Sequence, residues 1–267
     1  MADPAQIAQL ADRLWLAETE RAPIAPLTDD RTDLTVQDAY AIQEHNVARR
    51  VAAGSVVRGR KVGLTSRAMQ DLLNVDEPDF GVLLDDMFVE EGDEVPLDTL
   101  VQPRVEAEMA FVLDQHLAGP GVTTADALLA IAGVLPAIEI VDSRIADWRI
   151  TLADTVADNA SSGRVVLGGR LTPVTALDLR LTGVLLFRNG VAMESGAGAA
   201  ALGNPARCVA WLANTLGRLG SGLRPGDVVL PGALHRMVPV RPGDVFRASF
   251  AHLGAVTTRF GSAGPAA

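Results

Sequence analysis

Residues 103–113 read PRVEAEMAFVL, a segment in which two glutamates stand two positions apart. Side chains alternate between the two faces of a β-strand, so Glu106 and Glu108 are predicted to share one face while apolar side chains occupy the other. Two carboxylates side by side repel each other and raise each other's pKa unless a cation joins them. The segment is therefore either a solvent-facing edge strand or one wall of a cation site.

A second apolar segment, LPAIEIVDS at 135–143, carries Glu139 between two isoleucines. A lone carboxylate in so apolar a run is costly to bury unless it is paired. One interpretation is a salt bridge to one of the many arginines. The other brings Glu139 together with Glu106 and Glu108 around one hard cation. Few histidines and one cysteine then favour Mg²⁺ or Mn²⁺ over zinc.

Lysine occurs once in the chain, at Lys61, whereas the other 22 basic residues are arginines. The bias is either compositional or a sign that this position needs an ammonium, whose pKa can shift as that of a guanidinium cannot. The apolar neighbours of Lys61 in GRKVGLTS predict a buried stem, and the ammonium would stabilise an enolate or move a proton. Asp79, in PDFG at 78–81, is a second candidate proton carrier, although the sequence alone favours a simple turn residue.

Two loops supply candidate substrate contacts. Ser161 and Ser162, in DNASSG, either cap a helix or bind a substrate carboxylate, and Gly232 lets the backbone of PGAL approach a ligand closely. The histidines show no metal-ligand spacing, and His235 is predicted to be a surface residue. The full set of predicted substrate-binding residues is Thr65, Ser161, Ser162, Gly232, Ala233 and Leu234. A Gly-x-Ser-x-Gly elbow and a P-loop are both missing from the sequence, which argues against those enzyme classes.

Local patterns predict helices first and short strands later. Helical apolar spacing over residues 7–17 and a Thr35/Asp38 capping box predict two N-terminal helices, and Ser66 is predicted to cap a short helix through Leu73. From Val56 onward, short strands and turns dominate. We therefore predict an α+β fold with an N-terminal helical lobe (1–55) and a catalytic β-rich domain (56–262) built on a rolled, barrel-like sheet, together forming one compact unit.

Composition narrows the class of protein. The chain has 267 residues, 48% of them hydrophobic, and a net charge of −10, which argues against nucleic-acid binding. The N-terminus lacks the pattern of a signal peptide, and the longest apolar stretch is too short to span a membrane. The single Cys208 fits a reducing compartment, so we predict a cytoplasmic protein that binds neither membranes nor nucleic acid.

Six motifs in order resemble the 2-keto-4-pentenoate hydratases, in the hydratase/decarboxylase branch of the fumarylacetoacetate hydrolase fold. They are KVGLTS (61–66), DEPDFGVLLDDM (76–87), PRVEAEMAFVL (103–113), LPAIEIVDSRIADW (135–148), DTVADNASSG (154–163) and LPGAL (230–234). The resemblance covers nearly the whole chain and implies the mixed β-roll of the fumarylacetoacetate hydrolase C-terminal domain. It also implies Mg²⁺ or Mn²⁺ on Glu106, Glu108 and Glu139, with Lys61 and Asp79 in the active site.

The resemblance implies a metal-dependent hydration of 2-hydroxypenta-2,4-dienoate (2-keto-4-pentenoate) to 4-hydroxy-2-oxopentanoate in aromatic meta-cleavage catabolism. It further implies a homo-oligomer, a pentamer or decamer, and association with a pathway aldolase or decarboxylase. Two sister activities stay open, a 2-oxo-3-enedioate (4-oxalocrotonate) decarboxylase and a 2-oxohept-4-ene-1,7-dioate hydratase. Each would need a cation for a second carboxylate, for which Arg236 and His235 are candidates. A non-catalytic scaffold subunit is the alternative of another class, and the three glutamates and the single lysine speak against it.

Overall fold

The computed structural model describes residues 2–67, 70–71 and 75–262. Over these residues the helices are α1 (Pro4–Thr19), α2 (Leu27–Asp30), α3 (Val36–Ala52), α4 (Thr124–Ala130), α5 (Leu152–Ala157) and α6 (Pro205–Arg218). The strands are β1 (Val57–Gly63), β2 (Asp79–Leu84), β3 (Phe88–Val89), β4 (Glu94–Val95), β5 (Pro103–Leu113), β6 (Ile131–Asp142), β7 (Ser162–Leu167), β8 (Gly183–Arg188), β9 (Val191–Ala197), β10 (Val228–Leu230), β11 (Val238–Pro239), β12 (Val245–Phe250) and β13 (Gly254–Phe260). None of the helices in this part of the chain has the length and apolarity needed to cross a bilayer.

Helices α1 and α3 begin at capping boxes, in which the cap side chain and the third helical residue bond each other's backbone N–H. The pairs are Asp3 with Gln6 and Thr35 with Asp38. The second box and its helix are as predicted from the sequence. The apolar faces of the two helices bury Leu10, Leu14 and other residues in a cluster shared with α5. The N-terminal helices are thus packed against the β-rich part of the chain, while the boundary at residue 55 stays a prediction.

The larger sheet has the strand order β2-β1-β10-β5-β6-β7-β3, with β11 added alongside β5. Strands β1 and β10 run parallel, whereas β10, β5, β6 and β7 pair antiparallel in sequence. The sheet is therefore mixed, as predicted. Strand β5 lies between β10 and β6, so the edge-strand interpretation of residues 103–113 is wrong.

The main core lies between this sheet and a second one of order β4-β13-β12-β8-β9. Met109 and Phe111, on the apolar face of β5, belong to that core together with Phe246 of β12 and Phe260 of β13. Helices α4 and α6 add apolar side chains to the same cluster. The opposite face of β5 carries the glutamates, and Ala110 on that face packs into a separate apolar cluster with residues of β2, β6 and β10.

Two local predictions need correction. Thr124 is predicted from the sequence to cap a helix that runs to Ala132. In the structure Thr123 caps this helix and it ends at Ala130, because strand β6 begins at Ile131 and pairs with β5. The PDFG segment is not a turn, since residues 79–84 form strand β2 against β1. The helix predicted from Ser66 to Leu73 falls largely outside the described residues.

Candidate metal centre and active site

Three glutamates meet on the face of β5 and β6 that lies opposite the main core. Glu106 on β5 stands directly opposite Glu139 on β6, and Glu108 follows two residues later on the same face. One carboxylate oxygen from each lies within 4.8 Å of the other two. Cation–oxygen distances of about 2.0–2.6 Å allow ligands of a single ion to lie that far apart. Glu108 and Glu139 are each 1% exposed, and Glu106 is partly exposed.

Lys61 on β1 reaches the same cluster. Its Nζ lies 3.0 Å from Oε1 of Glu139, and the residue is 5% exposed. Burial alone would lower the pKa of Lys61, but the charges of Glu139, Glu106 and Asp79 outweigh it and raise that pKa. The only lysine of the chain is therefore a buried, charged ammonium beside the candidate metal ligands.

One ammonium does not neutralise three clustered carboxylates. Burial and the charge of Glu139 raise the pKa of Glu106 to about 7. Burial, Glu139 and Glu106 raise the pKa of Glu108 well above its usual range. Among the described residues, no well-aligned hydrogen-bond donor serves Oε1 of Glu139, despite the nearby ammonium. Unused oxygen lone pairs and uncompensated charge together fit a hard divalent cation.

Asp79 lies beside Lys61 as the first residue of β2, opposite Gly63 of β1. A Cβ at Gly63 would come within 2.1 Å of Oδ1 of Asp79, so the glycine makes room for this carboxylate. Asp79 is 2% exposed, and within the described part of the chain its Oδ1 has no hydrogen-bond partner. Burial raises the pKa of Asp79 to about 6, against the opposing pull of Lys61. It is a buried candidate proton carrier and not a simple turn residue.

The PGAL loop adjoins the carboxylates from the end of β10. The backbone N–H of Gly232 donates to Oε2 of Glu108 over 2.9 Å. Gly232 has φ +110°, and a Cβ there would lie 2.0 Å from Oγ1 of Thr65, so only glycine fits. Ala233 is half-buried, and buried Leu234 donates its N–H to a carbonyl of β5. The structure thus places Gly232 next to Glu108, and Thr65 next to Gly232.

Ser161 lies on the loop of residues 158–161 between α5 and β7, which we call the serine loop, and Ser162 is the first residue of β7. The hydroxyl of Ser161 donates to Oδ2 of Asp158 over 3.3 Å, and that of Ser162 donates to the carbonyl of Asn159 over 2.8 Å. Both residues are buried. In this structure the hydroxyls contact their own loop, in contrast to the loop of Gly232, which contacts a glutamate directly.

Comparison with known proteins identifies the family. The fumarylacetoacetate (FAA) hydrolase C-terminal family matches residues 45–261. The chain belongs to this family. It is 50% identical over 259 residues to the 2-keto-4-pentenoate hydratase of Paraburkholderia xenovorans (strain LB400), covering 97% of this chain and 96% of that protein. It is also 49% identical over 219 residues to a 2-hydroxypent-2,4-dienoate hydratase of Pseudomonas putida, covering 82% of this chain and 99% of the relative.

A solved member of the family has almost the same fold. The 4-oxalocrotonate decarboxylase of Pseudomonas putida G7, complexed with magnesium and adipate, superposes with a TM-score of 0.95 at 37% identity. The match covers 97% of this chain and 99% of the decarboxylase. The fold and the family resemblance inferred from the motifs are confirmed.

A buried ion pair behind the serine loop was missed by the sequence reasoning. Arg144 bonds the carboxylate of Asp158 through Nε, and its other nitrogens donate to the carbonyls of Asp142, Asp158 and Ser162. These bonds tie the serine loop to the end of β6. The Asp-Ser-Arg that follows the Glu139 strand was the available signal, because charged residues directly after a buried strand are costly unless they pair.

His235 has a structural role that the sequence prediction of a surface residue did not capture. The N–H of Ala107 donates to its Nε2 over 3.1 Å, and its Nδ1 lies 2.7 Å from the carbonyl of Arg236. Nδ1 therefore carries the hydrogen and Nε2 is unprotonated. Burial lowers the pKa of His235, which also favours the neutral ring. A neutral His235 is not a cation for a second substrate carboxylate.

Proposed function

We propose that this protein is a divalent-metal-dependent hydratase that adds water to 2-hydroxypenta-2,4-dienoate and releases 4-hydroxy-2-oxopentanoate. The observation that carries the proposal is the cluster of three glutamate oxygens within 4.8 Å of one another, with Lys61 Nζ 3.0 Å from Glu139. The near full-length similarity to 2-keto-4-pentenoate hydratase at 50% identity supports the substrate. The reaction belongs to the meta-cleavage degradation of aromatic compounds.

Glu106, Glu108 and Glu139 would hold the cation. Their all-oxygen donor set, close spacing and uncompensated charge suit Mg²⁺, and Mn²⁺ accepts the same ligands. The presence of magnesium in the related decarboxylase supports a divalent metal. When bound, the cation supplies a Lewis acid and a template for the carboxylate and 2-oxygen of the substrate.

Lys61 and Asp79 would perform the proton chemistry. The dienol gains a proton at its terminal carbon as its 2-hydroxyl becomes a ketone. Water then adds across the remaining double bond, with its hydroxyl on the carbon β to the ketone and its proton on the α carbon. The ammonium of Lys61 would stabilise negative charge on the 2-oxygen. The unpartnered Oδ1 of Asp79 would carry a proton or position the water.

The remaining candidates would surround the substrate. We assign this role to Thr65, Ser161, Ser162, Gly232, Ala233 and Leu234. Gly232 is supported by its hydrogen bond to Glu108, and Thr65 by its position against Gly232. The serines are supported by the link between their loop and β2, in which the side chain of Asn159 bonds both backbone groups of Val82.

A substrate panel tests the function. The purified, metal-stripped protein is given monocarboxylate and dicarboxylate dienols with Mg²⁺, with Mn²⁺ or with a chelator. Loss of the dienoate ultraviolet band, product identity and carbon dioxide release are followed. We expect metal-dependent hydration of the five-carbon monocarboxylate without carbon dioxide. Full activity in chelator, or turnover of dicarboxylates alone, would contradict the proposal.

A sister activity on a dicarboxylate is the second candidate, because the fold matches 4-oxalocrotonate decarboxylase with a TM-score of 0.95. A second carboxylate needs a cation, and the neutral tautomer of His235 removes one of the two predicted groups. Arg236 remains and is exposed. Carbon dioxide release from 4-oxalocrotonate distinguishes decarboxylation, and hydration of 2-oxohept-4-ene-1,7-dioate distinguishes the longer-chain hydratase. A non-catalytic scaffold would turn over none of these substrates.

The assembly and location are also proposals. By family resemblance we propose a homo-oligomer of five or ten subunits that associates with a pathway aldolase or decarboxylase in the cytoplasm. Light scattering of the purified chain measures the subunit number, and co-purification with each pathway enzyme tests the association.

A further inference from the structure

Strand β2 is the terminal strand of the larger sheet, and side chains cover its outer edge. At Phe80, the N–H donates to the hydroxyl of Tyr40 over 3.3 Å and the carbonyl accepts from Nε2 of Gln43 over 3.0 Å. At Val82, two residues later, both backbone groups bond the side chain of Asn159. A neighbouring strand would also bond the backbone groups of every second residue. Three side chains therefore take the place of a strand.

The two residues from α3 are themselves held rigidly. Tyr40 and Gln43 are three positions apart and so lie on one face of the helix. The ring of Tyr40 stacks on that of Phe80 with centroids 4.6 Å apart. The amide of Gln43 also donates to the carbonyl of Val156 on α5 over 3.0 Å, and the residue is buried. Tyr40 and Gln43, which together we call the clamp, thus hold Phe80 by both its ring and its backbone.

Phe80 directly follows Asp79, so the clamp determines where the Asp79 carboxylate stands. Among the described residues Oδ1 of Asp79 has no hydrogen-bond partner, and the carboxylate is contacted by the backbone N–H groups of Asp79 itself and of Gly63. Its position therefore depends on the backbones of β2 and of the neighbouring β1. The carboxylate occupies the space above Gly63, where a single Cβ would collide with it. Misplacing a reacting group by about 1 Å can cost about 10²-fold in rate.

We propose that Tyr40 and Gln43 are positioning residues that hold Asp79 in the geometry that hydration requires. The inference rests on the proposed function of Asp79. Both residues precede the segment matched by the family, which begins at residue 45. The N-terminal helices then serve the catalytic centre directly, in addition to packing against it.

Two variants and one matched control test the proposal. Gln43→Met removes the amide while keeping the length of the side chain, and Tyr40→Phe removes the hydroxyl while keeping the stacked ring. Asn46→Leu is the control, because Asn46 on the same helix makes an equivalent bond to the carbonyl of Ala11 on α1. We expect kcat to fall by about 10-fold or more in Gln43→Met, with KM within about 2-fold of wild type. Asn46→Leu should keep kcat even where its melting temperature falls equally.

A double-mutant cycle separates positioning from general destabilisation. In an Asp79→Asn background, Gln43→Met and Tyr40→Phe should each lower the residual kcat by less than 2-fold, because the group that they position is gone. An additive loss in that background would overturn the proposal, as would an unchanged kcat in both single variants.

The activity of the wild-type protein distinguishes a failure of the positioning proposal from a failure of the proposed hydratase function. If the wild type hydrates the dienoate and the losses in kcat are additive in the double-mutant cycle, the positioning role is overturned and the proposed hydratase function is kept. A wild type that hydrates none of the dienols overturns the hydratase, and amide hydrogen exchange then decides. Faster exchange at Phe80 in Gln43→Met and Tyr40→Phe than in Asn46→Leu supports the clamp, and equal exchange overturns it.

Discussion

Among single residues, Glu139 and Lys61 each offset the free-energy cost of burying the other's charge. Their charged atoms lie 3.0 Å apart, and neither side chain is open to water. An unpaired buried ion costs several kcal/mol, so removing one partner leaves a penalty on the other. The pair is not self-sufficient, because Glu106 and Glu108 add two further carboxylates to one ammonium. The local shortage of positive charge is the physical reason to expect a cation.

The first prediction concerns Lys61. Replacing it with alanine removes the positive charge that we propose stabilises the 2-oxygen of the substrate, so turnover of the dienoate should fall by at least about 10²-fold. Steady-state kinetics at saturating metal measures the effect. Arg58→Ala, an exposed cation on the same strand, is the control and should stay within about 2-fold of wild type. Near-wild-type activity of Lys61→Ala would refute the assignment of this residue.

The second prediction is a pH dependence of metal binding. In the metal-free protein the pKa of Glu106 is raised to about 7, and that of Glu108 is also raised. A cation binds the carboxylates and competes with their protons, so its affinity rises as pH rises through this range. Below about pH 7, each unit of acidification should weaken binding by up to about 10-fold for each proton displaced.

Calorimetric titration of Mg²⁺ in two buffers of different ionisation enthalpy counts the released protons. Glu106→Gln should bind the ion more weakly, release fewer protons and lose at least about 10²-fold in turnover, because one ligand charge and one titrating group are gone. An affinity that stays constant between about pH 6 and pH 8 would contradict the prediction.

At the scale of elements, the serine loop has a strained backbone that is stabilised by bonds to residues outside the loop. Asn159, Ala160 and Ser161 have φ between 51° and 53°, in the left-handed region that costs non-glycine residues about 1–2 kcal/mol each. The side chain of Asn159 offsets this cost with two bonds to Val82, of 2.8 and 2.9 Å. Arg144 adds a bond to the carbonyl of Ser162. The loop is thus coupled to the strand that carries Asp79.

The third prediction tests that coupling with Asn159→Asp. Aspartate has the same shape and tolerates the left-handed conformation, and it still accepts from the N–H of Val82. It loses the amide that donates to the carbonyl of Val82 and sets a charged oxygen against it. We expect the free energy of unfolding to fall by about 1–3 kcal/mol, measured by urea denaturation. A change below about 0.5 kcal/mol would show that the bond contributes little.

Sequence patterns correctly predicted the elements that are determined by residues close together in the chain. Alternation placed Glu106 and Glu108 on one face of β5, and the Thr35 cap marked the start of α3. The Asn-Gly dipeptide at 189–190 predicts a tight hairpin turn, and it lies between the paired strands β8 and β9. Strand β2 was missed, because its edge is satisfied by side chains of α3 and of the serine loop and not by local pairing.

The site residues come together through the register of strands that are far apart in sequence, and local patterns contain no information on that register. The pairing that sets Glu139 opposite Glu106, and the parallel pairing of Lys61 with Leu230, join segments far apart in sequence. The family resemblance supplied what periodicity could not, and similarity to the named hydratases confirms the family and supports the activity. The residue roles, the choice of metal and the subunit number stay predictions.

Across the whole molecule, the site joins neighbouring strands of the larger sheet. Lys61 comes from β1, Gly232 from the loop after β10, and the glutamates from β5 and β6, in the order in which those strands lie. The opposite face of β5 carries the main apolar core. The chain also has a net charge of −10, so the metal-free site concentrates repulsion in an already acidic protein. A bound cation would cross-link β5 to β6 and relieve that repulsion.

The fourth prediction follows for global stability. A ligand that binds only the folded state stabilises it by about 2.7 kcal/mol at 100 times its Kd. For a chain of this size that corresponds to a rise in Tm of roughly 5–10 °C. Calorimetry with saturating Mg²⁺ against a chelator, at matched ionic strength, measures the shift. Glu139→Gln removes a ligand and should lose most of the shift, whereas Glu90→Gln, an exposed control, should keep it. An equal rise in all three proteins would mean that magnesium acts on the surface charge as a whole and that the glutamate cluster is not where it binds.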